Sequence, residues 1–322
     1  PISISGYHMR EAGATAAQEV GFTLANAIEY VRQAVSSGLE VNRFGPRLSF
    51  FFAAHNDLFE EAAKFRAARR LWARLARERF NADDQTCRLR FHTQTGGVTL
   101  QAQQPHNNIV RVAYQGLAAV LGGTQSLHTN ALDETLALPT EESVRIALRT
   151  QQILAYETGV PNVADPLGGS YYVEALTDGM EREAAGLFAE IEAQGGVVKA
   201  IEGGWFQRQI AQSAMRFQVE VEQDRRLVVG VNEFVEEEEP PVDILKVSDE
   251  AEQQQRQRMA AMRGRRDNAL LEARLAELRR AAMEDRNIIP AMLDCARAYG
   301  TLHEIREVLE RLYGTYREPV FF

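Results

Sequence analysis

The feature that most constrains this chain is an alternation: four times before residue 160, a short apolar run gives way to a long amphipathic segment. Ile2–Tyr7, Leu48–Ala54, Arg88–Thr93 and Thr124–His128 read as strands. The first helix is expected over about Thr15–Ser36, where Val20, Leu24, Ala27, Ile28, Val31 and Val35 fall at helical spacing. Gly38 sits where a glycine closes a helix C-terminus. Asp57, with Glu60 three residues on, has the pattern of a capping box and opens a helix to about Arg79. Asn107–Leu121 is the third, closed by Gly122-Gly123, and Thr140 caps a fourth that ends near Thr158, before Gly159 and Pro161. Strand and helix in strict turn are the mark of parallel βα units, hence an α/β fold. Four strands cannot close an eight-stranded barrel. The alternatives are an open sheet or half of a barrel, and a chain that starts at Pro1 immediately inside a strand favours the second half of a (β/α)8 barrel, with the N-terminal half upstream.

After Pro161 the pattern changes. Gly168–Val173 reads as a turn into an extended stretch, followed by helices over about Asp178–Gln194 and Trp205–Glu222 and a short strand candidate at Leu227–Val231. Glu236–Glu239 and Pro240-Pro241 form an acidic, proline-ended linker. From about Ser248 the chain reads as helical: a long polar helix, then Ile288–Tyr299 and Leu302–Tyr313. A domain boundary is expected near residue 165, with residues 1–165 the barrel half and 166–322 a mostly helical packing region.

Composition narrows the function classes. A net charge of −9 is the opposite of a duplex-binding footprint, and no apolar run approaches the roughly 18–20 residues of a membrane span. Pro1–Gly6 lacks the basic and apolar parts of a signal peptide. Two distant cysteines, Cys87 and Cys295, make neither a disulfide framework nor a Cys-rich metal site, and fit reduced thiols of a cytoplasmic protein. Arg66, Arg69, Arg70, Arg74, Arg77 and Arg79 are spaced as the solvated face of one helix.

Four of the six histidines, His8, His55, His92 and His128, fall at or just past the expected C-terminal ends of the four strands. Tyr7, Arg10, Asn56, Gln94, Gln125, Asn130 and Glu134 travel with them. Parallel βα folds build their active sites at that end of the sheet. One histidine there is ordinarily a satisfied strand terminus; four in register read as a functional cluster. A metal hydrolase is disfavoured by the lack of HxH or HExxH spacing, and a serine hydrolase by the lack of a G-x-S-x-G elbow. Neutral amides, a tyrosine and histidines suit an enzyme that orients a substrate while a cofactor supplies the hard chemistry.

The stretches ISISGYHMREAGAT (2–15), FGPRLSFFF (44–52), RFHTQTGG (90–97), NNIVR (107–111), GGTQSLHTNALDE (122–134), ADPLGGSYYVE (164–174), GVNEF (230–234) and GTYREP (314–319) occur in order. Together they resemble successive landmarks of the methylmalonyl-CoA mutase family over nearly the whole chain. The resemblance implies the large, catalytic subunit of an adenosylcobalamin-dependent isomerase that rearranges the carbon skeleton of an acyl-CoA by a radical 1,2-shift, with the substrate threading a (β/α)8 barrel. It assigns Tyr7, His8 and Gln94 as catalytic: His8 hydrogen-bonded to the thioester carbonyl, Tyr7 shielding the reacting carbons, Gln94 a further polar contact. Arg47 and Ser49 match positions that touch the acyl-CoA. Gly97, Glu134 and Ala137 match cobalamin contacts, and Gln125 and Asn130 match residues around the adenosyl group.

The chain departs from the best-known family members, which have glutamine at Arg10 and tryptophan at Phe52 and Val98. The isobutyryl-CoA and 2-hydroxyisobutyryl-CoA mutases resemble it at some of these points, so the acyl preference is left open. The family's D-x-H-x-x-G motif, whose histidine ligates cobalt from below, does not occur, and His55-Asn56-Asp57 has the wrong order. The resemblance therefore implies a hetero-oligomer in which a separate cobalamin-binding domain or small subunit supplies that ligand. The rival from another class is a non-catalytic binding or assembly subunit, and a third reading is a metal-dependent barrel hydrolase.

Overall fold

The computed structural model describes residues 2–237 and 242–317. In chain order the elements are β1 (Ile2–Ser5), α1 (Tyr7–Glu11), α2 (Ala16–Ser36), α3 (Val41–Phe44), β2 (Leu48–Ala54), α4 (Leu58–Phe80), β3 (Phe91–Thr95), α5 (Asn107–Leu121), β4 (Ser126–His128) and α6 (Glu141–Tyr156). Seven helices follow: α7 (Tyr171–Ala193), α8 (Val197–Glu202), α9 (Trp205–Glu222), α10 (Asp249–Arg265), α11 (Asn268–Met283), α12 (Ile289–Arg297) and α13 (Leu302–Tyr313). The four strands form one wholly parallel sheet in sequence order. Sequential parallel βα units of this kind fit the second half of a (β/α)8 barrel.

The sheet has two unlike faces because side chains alternate along each strand. Ile4, Phe50, Phe52, Phe91 and Thr93 are buried on the side covered by helices. Phe52 meets Phe65 of α4 and Phe91 of β3 edge-on, Phe50 meets Trp72 of α4, and Phe65 stacks on Phe91. Burying each such ring contributes about 1.5–3 kcal/mol. The registers Ser5↔Phe51↔His92↔Ser126 and Ala53↔Gln94↔His128 define two rows across the other face, with Ser3↔Ser49 one pleat below.

Helix starts follow local chemistry. Thr15 and Gln18 form a reciprocal capping box on α2, whereas on α4 only Asp57 caps, accepting the Glu60 N–H at 3.0 Å. Thr140 caps α6 through the Ser143 N–H.

Several elements differ from the sequence reading. The first strand stops at Ser5 because Gly6 turns the chain into α1, which makes Tyr7 and His8 helical. The third is shifted to Phe91–Thr95, so His92 lies inside it rather than at its tip. The stretch after Gly169 is not extended: α7 begins at Tyr171. Leu227–Val231 contributes only an isolated bridge, Val229↔Glu233. Residues 238–241 of the expected acidic linker, and the end of the 314–319 landmark, lie outside the described residues.

The chain forms two compact units, dividing after Leu245 instead of near residue 165. The reason is α7, which packs along both α2 and α4 and so belongs with the sheet. The α4 arginines divide between this contact and the solvated face: Arg66 is mostly enclosed, Arg69 turns to Gly122 O, and Arg70, Arg74, Arg77 and Arg79 remain exposed. Arg66 pairs with Asp165 (2.9 Å) and Glu174 (2.7 Å), Arg70 with Asp178 (2.5 Å) and Glu181, and Arg74 with Glu181 (2.6 Å). Arg77 does point outward, to Asp84. In the second unit Leu278, Cys295 and Ile305 join α11, α12 and α13 around a small core. Arg266 forks onto both carboxylate oxygens of Glu304 (2.5 and 2.9 Å), and that carboxylate also accepts the Thr301 N–H that begins α13.

Candidate active site at the C-terminal end of the sheet

The chain leaves β1 through Gly6, whose amide donates to Phe51 O at 2.8 Å. A Cβ at Gly6 would lie 2.2 Å from Thr23 Oγ1, so only glycine lets the backbone pass this close to α2. The turn aims α1 across the end of the sheet. Tyr7 stacks flat on Phe51, ring centroids 4.7 Å apart. Asn130, just past β4, is buried and fixed three ways: its N–H donates to Thr95 Oγ1 (2.9 Å), its Nδ2 to Thr95 O (3.0 Å), and its Oδ1 accepts from Gln94 Nε2 (2.8 Å). Asn130 and the Gly97 backbone also lie beside the Tyr7 hydroxyl.

Burial, then the neighbouring Glu11, pushes the Tyr7 phenol up to about 12, so it stays protonated near neutral pH. Burial likewise raises Glu11 to about 7, against the opposing Val98 N–H, which donates to its Oε2 at 2.9 Å. The other oxygen, Oε1, is buried without a partner. A Cβ at Gly97 would come within 2.9 Å of Glu11 and 3.2 Å of Asn130. His8 stands at the edge of this cluster with its outer side in solvent, Nδ1 3.3 Å from Ser5 Oγ, and the partial enclosure of its ring lowers its pKa.

Tyr7, Gln94, Gly97 and Asn130 thus come together, with His8 adjoining. Glu134 and Ala137 lie on the turn after β4; Glu134 is exposed and near enough to Tyr7 and Glu11 to raise both their pKa values. That turn is pinned by buried Asp133, which accepts from Thr140 N (3.0 Å) and Ser143 Oγ (2.7 Å).

Arg47 and Ser49 lie at the opposite, N-terminal end of the sheet. Ser49 is exposed and donates to Ile2 O at 3.3 Å, and Arg47 lines a crevice of about 450 Å³ with Ile2, Leu39, Arg43 and Phe44. Gln125 is also at this end, and there the expectation fails. Its Oε1 accepts from Phe91 N (2.7 Å) and its Nε2 donates to Gly123 O (2.6 Å), so the amide closes the turn into β4 and is spent on backbone, away from Asn130 and Gln94.

The four histidines are not in register either. His92 lies a row below His128 on the open face and shares a 2.7 Å hydrogen bond with Ser126. His55 turns away to meet Phe217 of α9 edge-on, because the strand alternation ends at Ala54. Glu11 was missed. The signal was available: it lies four residues after Tyr7, one helical turn, and so shares its face. Ser3, Ser5, Phe51 and Ser126 were missed for a different reason, since only the observed register puts them on one face with His92.

Parallel βα units with polar side chains gathered at the C-terminal strand ends place the chain among the (β/α)8-type α/β folds. Within that class, the chain belongs to the methylmalonyl-CoA mutase family, whose model, described as Methylmalonyl-CoA mutase, matches residues 1–315. It is 47% identical to the 2-hydroxyisobutanoyl-CoA mutase large subunit of Aquincola tertiaricarbonis, over 100% of this chain and 58% of that protein. It is 48% identical to methylmalonyl-CoA mutase of Cereibacter sphaeroides (99% and 45%) and 44% to the methylmalonyl-CoA mutase large subunit of Propionibacterium freudenreichii (99% and 45%). The chain spans about half the length of these relatives. No helix among the described residues is long and apolar enough to cross a membrane.

Proposed function

We propose that the protein carrying this chain is an adenosylcobalamin-dependent acyl-CoA mutase, and that this chain supplies half of its substrate channel and one wall of its reaction chamber. The observation that carries the reading, beside family membership, is the open sheet face. It presents Ser3, Ser5, Ser49, Ser126, His92, Gln94 and His128, where a filled barrel would present branched aliphatic side chains. Small polar groups leave room for an extended thioester arm running from Arg47 and Ser49 to the Tyr7 end.

The residues present also fit a cobalamin lying over the strand ends. Glu11 Oε1 is a buried acceptor without a partner, and side-chain-free Gly97 borders it. Glu134 and Ala137 on the next turn would complete that rim. Bound there, the cofactor supplies a carbon radical. A neutral His8 ring that accepts from Ser5 at Nδ1 carries its proton on Nε2, free to donate to a thioester carbonyl without reorganisation. Tyr7, protonated and stacked, excludes water from the reacting carbons. Gln94 is oriented by Asn130 to hold the acyl group. The other barrel half and a cobalamin-binding domain or small subunit are the required partners, and the assembly is a hetero-oligomer of the kind that the relatives' large-subunit names describe.

The test is isomerisation of methylmalonyl-CoA, isobutyryl-CoA and 2-hydroxyisobutyryl-CoA by the complete enzyme, with and without adenosylcobalamin. Conversion of at least one, dependent on the cofactor, is expected. A complex that binds cobalamin and isomerises none would favour a non-catalytic subunit.

A further inference from the structure

Beneath the site lies a fully buried group of charges that the proposed chemistry does not use. Lys64 of α4 is completely enclosed, its Nζ 2.6 Å from Glu19 Oε2 of α2, 2.8 Å from Ala53 O and in contact with Glu61 Oε2. Glu19 Oε1 accepts the Ala53 N–H at 2.6 Å, so the Glu19–Lys64 pair holds both sides of one residue near the end of β2. The fourth member comes from α1. Arg10 Nη2 is 3.4 Å from Glu61 Oε1 and 3.8 Å from Glu60 Oε2, and its Nη1 donates to Ala14 O at 2.5 Å. Glu19 and Glu61 against Lys64 and Arg10 sum to zero charge, the condition under which buried ions are tolerated.

Helix α1 needs such an anchor. It has five residues, no side-chain N-cap and no acidic residue in its first turn. A helix this short is not stable by itself. Tyr7, His8 and Glu11 occupy its site side, which leaves buried Met9 and Arg10 to fix it from behind.

We infer that Arg10 is a positioning residue: through Glu61 and Ala14 O it ties the helix bearing Tyr7 and His8 to α4, and so sets where those side chains stand over the strand ends. It touches no reacting group. The kinetic arm of the test rests on the proposed mutase activity, while the exchange arm does not.

Three forms of the complete enzyme separate anchoring from mere charge balance: wild type, Arg10→Met and Arg10→Met/Glu61→Gln. Arg10→Met leaves Glu19 and Glu61 sharing Lys64 alone, one negative charge in excess in a buried group, so its melting temperature falls. The double variant removes both charges and recovers most of that loss. Anchoring is restored in neither. Hydrogen exchange of the Ala12 and Ala14 amides, which bond to His8 O and Met9 O, is therefore expected about 10-fold faster in both variants, with the Phe50 amide unchanged. Turnover number is expected to fall about 10-fold or more in both, with KM for acyl-CoA held within about twofold. Recovery of slow Ala12 and Ala14 exchange in the double variant along with its melting temperature would overturn the inference. So would unchanged exchange in Arg10→Met. An enzyme without mutase activity that still shows the exchange pattern would refute the functional reading and leave the anchoring role standing.

Discussion

Each side chain at the strand ends is held by a specific neighbour, and that gives the residue-scale predictions their direction. If His8 donates to the thioester carbonyl as proposed, His8→Ala should lower kcat about 10²–10³-fold, the scale of losing one oxyanion-type donor. Steady-state kinetics with the complete enzyme checks this; unchanged turnover would take His8 out of the mechanism. Glu11, raised to about 7, predicts a pH effect on stability. Its folded-state pKa lies above the unfolded value near 4.5, so the folded state holds the extra proton between those two pH values. The stabilisation is complete below pH 4.5 and is lost as pH rises through 7. Glu11→Gln should remove that decline, seen as a melting temperature that rises more steeply with pH than the wild type's between pH 4.5 and about 6.5. His55, pushed down to about 3 by burial and then by Arg10, acts in the opposite sense. Its contribution is present above about pH 6.5 and is lost as pH falls toward 3, so the wild-type profile is the sum of two opposed slopes, and the variant isolates one. Tyr7, Gln94 and Asn130 were legible in sequence because they sit at strand ends. Gln125 misled because an amide beside a glycine pair can equally serve the turn, and the chain spends it there.

At the scale of the element, α1 shows how little sequence signal a decisive piece of structure can carry. Five residues show no helical period, and the apolar run Ile2–Tyr7 reads as strand to its end. What turns the chain is a tertiary constraint, the close passage of Gly6 against Thr23. Gly6→Ala must therefore displace α1. A kcat loss of about 10-fold or more is expected, with the second unit unaffected in differential proteolysis. The α4–α7 contact was misread for a related reason: helical spacing reveals a charged face but not what faces it. Arg66 is mostly enclosed by Asp165, Glu174 and Thr177, whereas Arg77 is exposed. Arg66→Met should lower the melting temperature by roughly 2–4 °C and Arg77→Met by less than about 1 °C. Equal effects would deny α7 its part in holding the first unit together.

For the whole molecule, the alternation of strand and helix was enough to give the parallel sheet and its order, because apolar period and caps are local properties that survive into the fold. The division into units was not, because α7 joins α4 through contacts more than a hundred residues apart in sequence. The face left uncovered by helices carries serines, histidines and Gln94 beside Phe51 and Ala53, and everything said of function depends on an acyl-CoA lying against it. Hydrogen exchange of the complete enzyme with and without bound acyl-CoA examines that face directly. Protection is predicted at residues 3–8, 49–51, 92–95 and 126–130, and not along α4 or α7. Protection confined to the helix-covered side, or none on these four strands, would contradict it.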